Sequence, residues 1–140
     1  MAYTKLLLLD DAPTDIFTAT CSAGVTGGNW VVCGSNTLAA TLTSGTQTFD
    51  TNMVNVAEGS SGTSIPMGLA LQTVASGLVL GVLRAGTVIL PANATCNAGT
   101  FIASTGNGAC IGVTTASNDV IGQSYTTAAS GGFVVARIKL

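Results

Sequence analysis

The sequence predicts an all-β fold, a small barrel or sandwich of short strands, and three observations support this prediction. Glycine-containing turn segments recur at short intervals, for example at 26–29, 84–87 and 105–108. The runs between them are rich in Thr, Val, Ile and Phe, which suit a pleated, half-buried surface. The run 133–140 also alternates: its even-numbered residues are all apolar, whereas the other side carries Arg137 and Lys139. Strict alternation is typical of a strand with one buried face.

The chain length predicts a single β-rich domain preceded by an arm. With 140 residues, the chain is long enough to bury its own core. Residues 1–15 hold three of the six acidic residues, and Pro13 interrupts any early strand. We therefore predict an extended N-terminal arm at 1–15 and a domain at 16–140. The domain is either one unit or two related β halves, at about 16–64 and 65–140.

Two segments of the sequence resemble each other. Residues 67–77 and 121–131 are identical at five of eleven positions, and an apolar run follows each of them. One interpretation is a pair of related β-hairpins 54 residues apart, each turning on Ala-Ser-Gly, where glycine supplies the positive φ that such turns require. The alternative is that two hairpins in a chain rich in Gly, Ala, Ser and Thr look alike by composition.

The first of these segments also has a helical interpretation. Five of its apolar residues fall at helix spacing: Met67, Ala70, Leu71, Val74 and Leu78. Three glycines oppose a helix at about 1 kcal/mol each relative to alanine. We therefore predict two strands that turn at Ser76-Gly77, with one short helix as the alternative.

The composition excludes some partners and favours assembly. Charged residues make up 7% of the chain, against about a quarter in an average soluble protein. The net charge is −2 and no basic run occurs, so nucleic-acid binding is not expected. A chain with so few charges is either a very stable small-residue domain or one that hides much of its surface in an assembly.

No segment predicts a membrane span or a signal peptide. The longest apolar stretch, 68–83, contains Gln72, Thr73 and Ser76, and it falls short of the roughly 20 residues that a spanning helix needs. The first apolar run has only four leucines before Asp10, which is too short for the apolar region of a signal peptide.

The four cysteines form two near pairs in the sequence. Cys21 and Cys33 flank one glycine-rich turn, and Cys96 and Cys110 flank another. This spacing allows two hairpin-closing disulfides. The alternative is four small buried thiols. A zinc site is not expected, because the chain has no histidine and no Cys-x-x-Cys motif.

The residues that catalysis usually needs are absent or scattered. The chain has no histidine, which removes histidine-based triads and proton relays. It has no phosphate-binding loop motif, and its carboxylates are dispersed. The aromatic residues could form a sugar-binding platform, although core packing is the stronger interpretation of so few aromatics. They are Trp30, Tyr3, Tyr125, Phe17, Phe49, Phe101 and Phe133. Arg84 is a candidate for an intersubunit ion pair or a plain exposed side chain. We expect no enzymatic activity and no cofactor.

The C-terminal half resembles the small head-decoration, or cement, proteins of tailed viruses. The resemblance covers roughly residues 65–140 and rests on four short motifs, Ala85-Gly86-Thr87, Ile121-Gly122, Ala128-Ala129-Ser130-Gly131 and the strand from Val134 to Leu140. The cysteines are not part of that pattern.

The resemblance implies a non-enzymatic structural protein on the outer capsid surface of a virion. Such a protein would form a homotrimer and stabilise the shell by binding the assembled major capsid protein. The arm would be the capsid-binding element, with these candidate residues: Tyr3, Lys5, Leu6, Leu7, Leu8 and Leu9. Its strand could add to a partner sheet, or it could be the plain first strand of the domain.

Two functions of other classes remain open at this stage. One is a surface-displayed β-module that binds a carbohydrate or a receptor. The other is a subunit of a self-polymerising filament, which shares the low charge and the arm.

Overall fold

A computed structural model describes residues 7–9, 14–34, 54–59, 65–115 and 120–140. It confirms the predicted all-β class. The described strands are, in chain order, β1 (Leu7–Leu9), β2 (Asp15–Cys21), β3 (Trp30–Cys33), β4 (Val54–Glu58), β5 (Pro66–Ala70), β6 (Val79–Pro91), β7 (Phe101–Ser104), β8 (Cys110–Val113), β9 (Val120–Ser124) and β10 (Phe133–Lys139).

Five strands close into a first barrel in the order β2-β4-β3-β5-β6, with β6 returning to pair with β2. Four of the strand pairs are antiparallel, and the β2–β4 pair is parallel. The barrel interior is filled by small and medium apolar side chains, namely Ala19, Cys21, Val25, Val31, Val56, Ala70, Leu80 and Val82.

A second barrel is built from the end of β6 with β10, β9, β7 and β8. Its strands are joined by antiparallel ladders. It closes where Ala92, just after β6, forms a single parallel bridge with Cys110 of β8. The backbone N–H of Asn93 donates to the Cys110 carbonyl at 2.9 Å beside that bridge. The prediction of a small barrel is therefore confirmed, and the chain applies the same plan twice.

The two barrels are equivalent residue by residue. Residues of β2 and β3 correspond to residues 71 positions later, and residues from β4 to the start of β6 correspond to residues 54 positions later. The parallel pair Cys21–Val56 thus becomes Ala92–Cys110. The registers of the other ladders follow the same rule, except that the shift between Asp15 and Ile16 in the β2–β6 ladder has no counterpart between β6 and β10. The ladders β3–β5 and β7–β9 even share a register shift at the same place. The 17-residue difference between the two offsets lies in the connection from β3 to β4.

Four turns of one kind complete this symmetry. Each ends on a glycine with φ between 80° and 85°, namely Gly28, Gly77, Gly99 and Gly131. The turns associate in pairs across each barrel, through the bridges Val25–Val74 and Cys96–Ala128. The resemblance between 67–77 and 121–131 thus corresponds to two equivalent hairpins, β5–β6 and β9–β10.

The helical alternative for the segment Met67–Leu78 is wrong. Met67–Ala70 lies in β5, and a turn at Gly77 leads into β6. The side-chain hydroxyl of Ser76 donates to the Ser22 carbonyl of the partner turn at 2.8 Å. Cross-strand bonds of this kind replace the local bonds of a helix. Among the described residues, the one helical segment is a 3-10 turn at Gly106–Gly108.

The barrels meet at Trp30, on the outer side of β3. Val31 points into the first barrel, whereas Trp30 packs with the core of the second. The indole is 3% exposed, and its Nε1–H donates to the Ala109 carbonyl at 2.8 Å. A Cβ on Gly108 would overlap the Gly28 carbonyl oxygen, so the two backbones are in close contact. The core of the second barrel therefore includes three residues of the first, namely Trp30, Leu69 and Leu83.

We expect a Gly77→Ala substitution to destabilise the fold through its backbone alone. The residue has φ +80° and no atom lies within 4 Å of an added Cβ. The substitution should therefore lower the free energy of unfolding only by the cost of placing alanine in a left-handed backbone conformation, about 1–2 kcal/mol. Gly77→Asn is the matched variant and should lose less, because asparagine tolerates this region. Equal losses in urea unfolding would contradict this account.

We expect Trp30→Ala to lower the free energy of unfolding by about 3–5 kcal/mol, as for a large buried aromatic. The matched control is Phe101→Ala at the equivalent position of the second barrel. Phe101 is 44% exposed, so its loss should be below about 1 kcal/mol. Urea unfolding at low protein concentration would measure both, because association then contributes least. Similar losses would mean that Trp30 does not seal the junction.

Candidate interaction surface

Of the predicted arm at 1–15, the structure describes Leu7–Leu9, Thr14 and Asp15, and Asp15 is the first residue of β2. Leu7–Leu9 form β1, which pairs antiparallel with β6 in the register Leu7–Ile89, Leu8–Val88 and Leu9–Thr87. This segment therefore extends the sheet of its own chain, as a first strand would. Tyr3, Lys5 and Leu6 lie outside the described residues. Their capsid-binding role and that of the leucines stays a prediction.

An exposed, partly apolar surface lies on the outer side of the second barrel, and we call it the outer face. A shallow pocket of about 260 Å³ opens there. It is lined by residues of β7, β9 and β10 and their flanks, namely Phe101, Val120, Gly122, Gln123, Tyr125, Arg137 and Lys139. Typical small-molecule pockets measure about 300–1,000 Å³. The pocket is therefore small for a buried ligand, and the outer face is better suited to surface contacts.

Strand register places the central side chains of the outer face in one row. Phe101 pairs with Gln123 across β7 and β9, and Gln123 pairs with Arg137 across β9 and β10. Directly paired residues point to the same side of a sheet. Tyr125 follows β9 and is 51% exposed. Two accessible aromatic rings thus flank an amide and a guanidinium group.

The equivalent row of the first barrel is buried. Trp30, Leu69 and Leu83 occupy the positions of Phe101, Gln123 and Arg137. All three pack against the core of the second barrel. The same barrel position is therefore a covered contact surface in one copy and an exposed surface in the other. Sequence reasoning missed this relation because residues 30 and 101 differ, and their equivalence emerges only from the register.

Charge is distributed unevenly along the sequence. Residues 1–85 carry five acidic and two basic residues, a net charge of −3. Residues 86–140 carry Arg137, Lys139 and Asp119, a net charge of +1. Both of those bases line the outer face. The outer face is thus the basic region of an otherwise acidic chain.

Arg84 lies at the boundary between the barrels. Its guanidinium Nε is 3.7 Å from the Asp15 carboxylate, and both side chains are about half exposed. Its Nη2 also donates to the Leu140 carbonyl at 3.5 Å. An exposed pair at this distance contributes about 0–1 kcal/mol. Arg84 therefore has a partner within its own chain, in addition to any role between chains.

The aromatic residues that sequence reasoning grouped are separated in the structure. Trp30 is a junction residue, so its part in a sugar platform is wrong. Tyr125 is exposed, as are Phe101 and Phe133. Core packing, which the composition favoured for the aromatics, holds for Trp30 and does not hold for these three.

Strand β4 lies between the first pair of cysteines. Cys21 and Cys33 each pair with Val56, on opposite sides of β4. Two strand spacings amount to about 10 Å, whereas a disulfide needs Cα atoms within about 7 Å. A disulfide between Cys21 and Cys33 is incompatible with this arrangement. Both residues are thiols in this structure.

The second pair of cysteines is in contact inside the second barrel. Cys96 and Cys110 are fully buried thiols of one core cluster, and the Cys96 thiol donates to the Ala94 carbonyl at 3.6 Å. Burial and then the neighbouring Cys96 raise the pKa of the Cys110 thiol. By the offsets of the repeat, they occupy the positions of Val25 and Val56 in the first barrel. They therefore serve as small apolar core residues, and a disulfide between them stays a prediction.

Two kinds of feature are absent from the described residues. Within these parts of the chain, no three His, Cys, Asp or Glu side chains gather where they could hold a metal ion. Over the same ranges, no helix has the length and hydropathy that a membrane crossing requires.

We expect Cys110→Val to keep the stability within about 1.5 kcal/mol, because valine fills the equivalent place in the first barrel. Cys110→Ser should lose about 1–3 kcal/mol, because it buries a hydroxyl group. Urea unfolding with a reductant compares the two. Equal losses would contradict the equivalence of Cys110 and Val56. A loss for the valine variant that occurs only without reductant would reveal a disulfide with Cys96.

Comparison with known proteins gives a likeness in fold. No protein-family model and no curated protein matches the chain. Among solved structures, the chain is similar to the N base of the head fiber protein gp8.5 of bacteriophage phi29. The TM-score is 0.58, and the alignment covers 91% of this chain and 95% of that one at 16% sequence identity. The chain therefore shares, over nearly its whole length, the fold of a head-fiber base.

Proposed function

We propose that the chain is a non-enzymatic structural protein of a bacteriophage head. It decorates the outer capsid surface as a homotrimer and stabilises the shell by binding the assembled major capsid protein. The observation that carries this proposal is the likeness in fold to a phage head-fiber base across nearly the whole of both chains. A fold alone does not fix a function, so two properties of this chain are needed as further support.

The first supporting property is a surface suited to assembly. Several large apolar side chains are exposed on the described parts of the chain, namely Ile16, Val54, Ile65, Leu78, Val79, Phe101, Tyr125 and Phe133. Charged residues make up 7% of the sequence, so charge provides little solubility for an isolated subunit. Burying these side chains against sister subunits and the shell removes apolar area from water.

The second supporting property is the rigidity of the two barrels. Two closed barrels with a buried junction present a fixed surface. Contacts that exist only on the assembled shell stabilise it by linkage, because the bound state is favoured over dissociated shell protein. The stabilisation contributed by each bound copy adds up over the many copies on one shell. Decoration of a capsid requires this binding and no catalytic step.

One observation favours a second candidate, a carbohydrate-binding module. Phe101 and Tyr125 flank Gln123 and Arg137 on the outer face, and aromatic rings beside polar groups suit sugar rings. This candidate predicts that Tyr125→Ala abolishes glycan binding by a monomeric protein. The shallowness of the pocket favours decoration over this candidate.

We expect the purified protein to be a trimer in light scattering and to bind expanded heads made of its own major capsid protein. Heads that carry it should withstand heating and osmotic shock that rupture bare heads, because binding favours the closed shell. Bare and decorated heads with equal resistance would overturn the stabilising role. A failure to sediment with heads would overturn capsid binding itself.

The arm has its own test. Replacing residues 1–6 by a Gly/Ser sequence of equal length should weaken head binding about tenfold or more while the trimer persists, because the change removes side chains proposed to contact the capsid and leaves the described strands unaltered. The matched control is Ile65→Ser, which removes an exposed apolar side chain from the barrel body. Unchanged head binding by the arm variant would show that the capsid contacts lie elsewhere.

A further inference from the structure

The second barrel closes through fewer backbone pairs than the first. In the first barrel, β2 and β4 pair in parallel over three residues each, 19–21 with 54–56. At the equivalent closure of the second barrel, between the end of β6 and β8, the described residues form one bridge, Ala92 with Cys110. The Asn93 N–H donates to the Cys110 carbonyl beside it. The closure of the second barrel therefore has little main-chain pairing, and Cys110 is one of its two bridge residues.

Cys96 lies next to this closure, on the inner side of β8. It follows Ala92 by four residues, and its Cα would be 3.1 Å from a Cβ placed on Gly112. Residues two apart on a strand point to the same side, so Gly112 and Cys110 face the same way. Cys96 and Cys110 are both fully buried members of the core of the second barrel. The fold thus places two thiols at the one site where an added covalent bond would strengthen the closure.

The two thiols influence each other and are shielded from reagents. Burial, and then the neighbouring Cys96, raise the pKa of the Cys110 thiol. The thiolate is the form that attacks a disulfide, so this thiol exchanges slowly while the barrel is closed. Exchange requires a local opening of the closure. The pair is therefore expected to react during folding or on opening, and then chiefly within itself.

We propose that Cys96 and Cys110 form a redox-sensitive cross-link: oxidation joins them in a disulfide that holds the segment after β6 against β8 and so closes the second barrel. One cysteine attacks a small disulfide, such as oxidised glutathione, and releases the first glutathione thiol. The other cysteine attacks the mixed disulfide and releases the second. The two cysteine protons end on the two glutathione thiols, so the cysteines are oxidised and the reagent is reduced.

The cross-link distinguishes the two barrels and the two kinds of compartment. The equivalent positions of the first barrel hold Val25 and Val56, which cannot be joined. The bond is absent in a reducing compartment and forms in an oxidising one. The inference concerns the chain by itself and goes beyond capsid binding.

The first test is thermal unfolding of the whole chain carrying Cys33→Ser, which removes an exposed thiol. One sample is refolded from urea with oxidised glutathione, and the other is kept in reductant. The disulfide would close a loop of 15 residues, 96–110. A loop of this length should raise the Tm of the oxidised sample by about 6–12 °C. The matched control adds Cys96→Val and Cys110→Val, as in the first barrel, and its Tm should not depend on the reductant.

The second test identifies the bond by mass spectrometry. Trypsin cleaves after Arg84 and after Arg137, and no Lys or Arg lies between them. Peptide 85–137 therefore contains Cys96 and Cys110 and neither of the other cysteines. After oxidation and alkylation without reductant, this peptide should carry no alkyl group and should lack the mass of two hydrogen atoms. Two alkyl groups on the peptide would show that the thiols do not pair, and the proposal would fail.

The remaining outcomes also decide the question. A bond that forms and leaves the Tm unchanged would mean that it does not strengthen the barrel. A Tm shift that the valine variant shares would assign the effect to other thiols. Either result contradicts the proposal. Both tests use the free protein, so a failure to bind heads leaves the cross-link intact, and a failure of the cross-link leaves head binding intact.

Discussion

The continuous strand β6 is the constraint on which the rest of the structure depends. Its 13 residues serve as the last strand of the first barrel and, without a break, as the first strand of the second. The first part is held by β2 and β5 and the second by β10 and β1. A relative rotation of the barrels would have to break ladder hydrogen bonds on both sides of β6, and each buried, unpaired group would cost about 1–3 kcal/mol. Trp30 seals the junction that β6 creates. The outward directions of both barrels are therefore fixed by the backbone before any partner binds.

The internal resemblance has a physical explanation in four of its five identities. Thr73 and Thr127 accept from the backbone N–H of Gly27 and Ala98 at 2.9 and 3.0 Å, and Ser76 and Ser130 donate to carbonyls of the partner turns. Gly77 and Gly131 supply the positive φ. Gly68 and Gly122 lie so close to the neighbouring strand that a Cβ would overlap a carbonyl oxygen. These positions bind turn to turn or strand to strand, so they are restricted to few residue types. Core positions accept more residue types of similar volume, and the positions of Val25 and Val56 in the first barrel are occupied by Cys96 and Cys110 in the second.

The same reasoning explains which parts of the structure were predictable. The final strand and the Ala-Ser-Gly turns follow from local alternation and turn chemistry, so the all-β class and one pair of hairpins were visible in the sequence. The other part of the repeat could not be recognised in the sequence, because the equivalent segments 19–33 and 90–104 are identical at only two positions, Ala23/Ala94 and Gly28/Gly99. The outer face was hidden for a different reason. The acceptor of the Trp30 indole lies 79 residues away, and no local pattern distinguishes a tryptophan at a junction from one in a core. The segment 67–78 fitted a helix locally and is held as strands by contacts with the partner turn.

The divergence of the two outer rows is what a subunit that must first exist alone would require. The row that is covered as the chain folds is wholly apolar, with Trp30, Leu69 and Leu83. The outer row of the second barrel replaces two of these with Gln123 and Arg137 and keeps one aromatic ring. An exposed Trp-Leu-Leu row would invite non-specific association. Aromatic and arginine side chains are enriched, in contrast, in interfaces between separately folded partners. Equivalent positions thus form a buried contact within the chain in the first barrel and an exposed surface of mixed polarity in the second.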